Sequence, residues 1–72
     1  MKFTIEYCLV WNYYPRAAGL AEELKKNIEN VQVEFIKGSG GIFEVKKDGE
    51  LIFAKSEVGR FPNPGEVVNL LK

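Results

Sequence analysis

The sequence predicts an α/β (α+β) chain of the order β-α-β-β-β-α, with one four-stranded mixed sheet and two helices. Three observations predict it. Apolar residues alternate at Phe3, Ile5 and Tyr7, then recur at helical spacing from Ala17 to Ile28, then alternate again at Val31, Val33 and Phe35. Two later apolar runs flank Asp48-Gly49, a dipeptide suited to a type I′ hairpin turn. Asn63-Pro64-Gly65-Glu66 opens a final helical segment with a cap, a first-turn proline and the glutamate of a capping box.

Each element has its own reason. Lys2, Thr4 and Glu6 interleave with the first apolar set, the two-residue period of a strand with one buried face. Ala17, Leu20, Ala21, Leu24 and Ile28 share one helical stripe, and Arg16, Glu22, Glu23, Lys26 and Glu29 take the other side. The spacing predicts a helix over residues 15–29, because Pro15 costs least in a first turn and Tyr14 before it is pushed toward extended geometry. Asn12 offers an earlier cap and Asn30 a stop. Strand, helix and strand in that order imply two parallel strands joined by a crossover. Gly38-Ser39-Gly40-Gly41 breaks the chain, and strands are expected over 42–47 and 50–55, followed by a loop through Gly59-Arg60-Phe61-Pro62. Val67, Val68, Leu70 and Leu71 give the last helix an apolar stripe for docking, on a face of the sheet that sequence order leaves open.

Composition narrows the function classes. With 72 residues, 46% of them hydrophobic, the chain reads as a single domain over residues 1–72; a chain this short removes only about 60% of its unfolded surface from water. Ten basic and ten acidic residues cancel. The field that draws proteins to nucleic acid or to an anionic membrane is therefore missing, and neither partner is expected. One cysteine forms no internal disulfide, and no leader-like or long apolar stretch is present, so a cytoplasmic location is expected. With no histidine and a lone cysteine, no metal site is expected.

The candidate site centres on Cys8, where the first strand pattern stops. A thiol at a strand-to-helix junction lies near unpaired N–H groups and the positive end of the helix dipole, which favour thiolate. By position alone, a cysteine is more often a small apolar filler. Trp11, Tyr13, Tyr14 and Phe61 could line a groove beside it or close the end of a shallow core. Arg16 could stabilise a thiolate or hold a carboxylate, or simply be solvated. Gly40 and Gly41 either let a partner backbone approach the sulfur or serve a turn that needs positive φ, their commoner use.

Glu6-Tyr7-Cys8 followed after two intervening residues by position 11, Arg16-Ala17-Ala18 and Leu20-Ala21-Glu22-Glu23-Leu24 resemble the selenoprotein W-like, or Rdx, family of small thioredoxin-like proteins. Gly40-Gly41-Ile42-Phe43-Glu44-Val45, Asp48-Gly49-Glu50-Leu51 and Glu57-Val58-Gly59-Arg60-Phe61-Pro62 look like the later family blocks in the same order, so the resemblance covers nearly the whole chain. It implies a thioredoxin-like fold and redox work by two chalcogen residues three positions apart. Cys8 holds the first of these positions, but Trp11 holds the second, and an indole neither forms nor resolves a disulfide.

Two functions stay open. One is a thiol oxidoreductase with an incomplete Cys-x-x-Cys motif, catalytic at Cys8 alone, which forms a mixed disulfide with glutathione or a partner thiol. The other is a non-catalytic adaptor that keeps the fold and binds a protein partner at the aromatic edge. No tightly bound cofactor is expected in either case, and glutathione enters only as a co-substrate.

Overall fold

In the computed structural model, which describes residues 1–71, β1 (Lys2–Cys8) leads through a turn into α1 (Tyr14–Asn27), and β2 (Gln32–Gly38) follows. The chain continues through the hairpin of β3 (Phe43–Lys47) and β4 (Glu50–Ala54), then through two short helices, α2 (Lys55–Val58) and α3 (Glu66–Leu70). The sheet has the order β2-β1-β3-β4. Its central strand β1 runs parallel to β2, from Lys2 opposite Gln32 to Cys8 opposite Gly38, and antiparallel to β3, from Phe3 opposite Lys47 to Tyr7 opposite Phe43.

The alternation in β1 sends Phe3, Ile5 and Tyr7 to one face, where they pack with Phe43, Val45 and Phe53 under Ala17, Leu20, Ala21 and Leu24 of α1. Val67 and Val68 of α3 belong to the same cluster, so α3 docks on the α1 side of the sheet. This settles the placement that sequence order left open. Burying a side chain such as Phe3 or Leu24 completely stabilises the fold by about 1.5–3 kcal/mol.

Several boundaries differ from expectation, for local reasons. α1 begins at Tyr14 and ends at Asn27; Ile28 already has extended backbone, φ −131° and ψ 121°, which turns its side chain onto the core edge. Asn12 is not the cap. Tyr13 holds that position with no side-chain bond, and Asn12 sits in the left-handed region at φ 58°. Lys55 is not the last strand residue but the first of the one-turn helix α2, which Gly59 ends at φ 77°. Among helix signals in sequence, a single turn is too short to register.

The hairpin turn forms as expected, with positive φ at both Asp48 (49°) and Gly49 (88°). Asp48 also ties the turn to the start of β1: its N–H donates to the Lys2 carbonyl at 2.7 Å, and its Oδ1 accepts the Lys2 N–H at 2.9 Å. At α3, Glu66 reaches back to accept the Asn63 N–H at 2.8 Å, which is the glutamate half of the capping box. Gly65, not Asn63, is the residue that flanks the helix. Glu66 also takes Arg60 in a bidentate pair, at 2.7 and 3.0 Å. The Arg60 guanidinium, with help from the Asn63 N–H, lowers the Glu66 carboxyl from 4.5 to about 2.

Two outcomes follow from this packing. Leu24→Ala, at a fully buried position, should lower unfolding free energy by roughly 2–5 kcal/mol in urea melts, and a loss under about half a kcal/mol would mean α1 does not dock by this face. Glu66 ionises more readily folded than unfolded, so its contribution is complete above 4.5 and disappears as pH falls toward 2. Glu66→Gln should therefore flatten the dependence of the urea midpoint on pH across that window and leave neutral-pH packing of the sheet intact.

Candidate functional site

The site is built where β1 runs out of partners. The Cys8 N–H donates to the Ile42 carbonyl at 2.9 Å, and the Leu9 N–H donates to the Gly38 carbonyl at 3.3 Å. Beyond that the chain reverses: Asn12 N–H bonds to the Leu9 carbonyl at 3.0 Å and Tyr13 N–H to the Cys8 carbonyl at 3.1 Å. Only a residue tolerant of left-handed geometry closes such a turn easily, and Asn12 is one. The reversal aims the Trp11 N–H at Cys8 Sγ, 3.4 Å away. The donor that reaches the sulfur thus comes from the turn, not from the first turn of α1.

Cys8 is covered, with 1% of its surface exposed. The side chains of Leu9, Val10 and Trp11 point outward instead, 51%, 82% and 61% exposed. Part of the Trp11 indole nevertheless lies against Gly41: a Cβ on that glycine would come within 2.6 Å of the ring. Gly41 therefore serves two needs, a positive φ of 77° and the space the indole occupies. Gly40, at φ 68° with open space around it, serves the turn alone.

The aromatic residues flagged in the sequence separate into two groups. Trp11 meets Tyr13 edge-on at 6.1 Å, Tyr13 meets Phe61 at 4.7 Å, and Phe61 meets Phe43 at 5.2 Å. Tyr14 turns the other way, onto Phe35 at 5.4 Å and Tyr7 at 5.6 Å. Arg16 lies over the Phe61 ring, 4.7 Å from its centroid, and makes no hydrogen bond to the sulfur. Lys55, at the start of α2 and not in a strand, stands 5.6 Å from the Phe61 centroid and 5.8 Å from that of Tyr13. No sequence signal marked Lys55, because its approach depends on α2. Tyr7 belongs to the buried face of the first strand pattern, and Phe43 joins it in the core. Among the described residues no group of three metal-ligating side chains converges, and no helix is long and apolar enough to cross a membrane.

A mixed four-stranded sheet with helices against one face, and a thiol at the end of its central strand, defines a thioredoxin-like domain. The chain belongs to the Rdx family, whose model matches residues 2–72. Among solved structures it is similar to a Bordetella parapertussis protein, with 25% identity and a TM-score of 0.89 over 97% of this chain and 91% of that one. It is also similar to a selenoprotein W-related protein from Vibrio cholerae, with 28% identity and a TM-score of 0.84 over 99% and 96%. Among curated proteins it resembles "Migration and invasion enhancer 1" of Bos taurus and of Mus musculus, at 26% and 28% identity over the whole chain. The chain spans 63% of the length of these curated relatives. Family and fold together suggest a redox-related role.

The indole on Gly41 gives a direct test of what covers the sulfur. Gly41→Ala places a methyl where the ring lies and at an unfavourable φ, which should destabilise the closed turn by roughly 1–2 kcal/mol. The open population, and with it the alkylation rate of Cys8 in folded protein, should rise about five- to thirty-fold. An unchanged rate, with the fold intact by circular dichroism, would show that the indole does not control access.

Proposed function

We propose that this Rdx-family protein takes part in thiol redox chemistry through Cys8 alone. The observation that carries the reading is the Trp11 N–H held 3.4 Å from Sγ at the end of the central strand. A hydrogen bond to sulfur stabilises the negative charge that sits there when Cys8 attacks a disulfide and when it leaves one. In the step proposed, the Cys8 thiolate attacks glutathione disulfide: a Cys8–glutathione bond forms, the glutathione disulfide bond breaks, and one glutathione thiolate leaves. Trp11 offers no second sulfur, so a further thiol from outside, either glutathione or a partner protein, must release the adduct. A reducing compartment such as the cytoplasm supplies that thiol. The 1% exposure of Cys8 means the Leu9–Asn12 turn has to open for each exchange.

The same burial, with Leu9, Val10 and Trp11 exposed, favours a second reading: an adaptor that presents this apolar turn to a protein partner and keeps the sulfur as filler. Intact mass after incubation with glutathione disulfide separates the two. The redox reading expects one glutathione per chain, reversed by reductant, no adduct on Cys8→Ser, and an internal disulfide in place of the adduct on Trp11→Cys. Native protein that stays unmodified, while the unfolded chain reacts, would replace the redox reading with the adaptor.

A further inference from the structure

We infer that the groove between α1 and the segment Phe61-Pro62-Asn63-Pro64 docks an extended peptide segment of a partner protein, with an acidic residue at its Arg16 end and an apolar one beyond. Two observations, independent of whether Cys8 exchanges disulfides, point there. First, Arg16 and Lys55 both converge on Phe61, at 4.7 and 5.6 Å from its centroid, and among the described residues neither forms an ion pair with a carboxylate. Arg16 itself lines the groove, so in a chain whose total charge is zero its end carries an unpaired guanidinium that a carboxylate complements, with Lys55 near the same ring but outside the lining.

Second, Gly19 lines the groove in the middle of α1, where glycine weakens a helix relative to alanine. Nothing in the fold requires it: φ is not positive, and no atom lies within 4 Å of where its Cβ would be. The missing side chain leaves space, and that space continues the groove past Leu20, Phe61 and Pro62.

The groove's size and polarity choose the occupant. At about 240 Å³ it is smaller than the roughly 300–1,000 Å³ usual for small-molecule sites, but it suits one or two side chains of an extended segment. Glu23 also lines it, seven residues along α1 from Arg16 and so about 10.5 Å further down the axis. Both Glu23 carboxylate oxygens accept the Gly65 N–H at 3.1 Å. The groove is therefore positive at the Arg16 end and negative at the Glu23 end, which fixes the direction of the segment.

The test uses the isotope-labelled chain titrated with a short blocked peptide of two aspartates followed by leucine and phenylalanine, read by amide spectra. Saturable shifts should centre on Arg16, Gly19, Phe61 and Asn63. The double variant Arg16→Gln/Lys55→Gln should weaken binding about tenfold or more, whereas Lys25→Gln/Lys26→Gln, the same charge change elsewhere on α1, should not. Gly19→Gln should block the groove yet leave the melting temperature unchanged or raised. Equal affinity for the asparagine version of the peptide, equal loss from both charge variants, or no saturable shifts would overturn the proposal. So would shifts at these residues with phosphatidylserine-containing vesicles and none with the peptide.

Discussion

Burial of one face of β1 is the constraint on which the rest depends. Among the described residues this strand alone has a hydrogen-bonded neighbour of each orientation, β2 parallel and β3 antiparallel. Phe3, Ile5 and Tyr7 fix its register, because a slip of one residue would expose all three and bury Thr4 and Glu6. The same register places Cys8 at the strand's last paired position, against Gly38. The location of the thiol is thus a by-product of core packing, set by the parity and length of an alternating strand.

What surrounds the thiol is a different matter. Five residues, Leu9 to Tyr13, have to bring the chain from β1 into α1, and their backbone geometry directs one N–H at the sulfur and pushes three apolar side chains into solvent. Trp11 recovers some burial by resting on Gly41, where the absence of a Cβ is what makes room. Trp11 thus brings its backbone N–H to the Cys8 sulfur and its indole to Gly41.

On the far side of Tyr13, the Phe61 ring joins elements distant in sequence. It packs on Phe43 and Tyr13 and lies within reach of the Arg16 and Lys55 cations. Arg60, its neighbour, is committed to Glu66 and so helps fix the loop that presents Phe61 to α1. The Arg60–Glu66 pair is exposed, and its bidentate geometry matters more as a positional restraint than as a source of stability.

Sequence by itself determined the order of elements, the sheet, the apolar face of α1, the hairpin turn and the position of Cys8. Each of these rests on a local period or on a conformational limit that a few adjacent residues carry, as in the alternation of β1 or the positive φ at Asp48-Gly49. Tertiary structure decided what those periods do not encode. It placed α3 on the α1 side, divided Tyr14 from Trp11, Tyr13 and Phe61, brought Arg16 to a ring instead of the sulfur, and added Lys55 to that ring through a helix of one turn. It also gave Gly41 its second role, as the floor under an indole thirty residues away. Such contacts depend on where separate elements stop and how they meet in space, and a periodicity confined to one element holds no record of either.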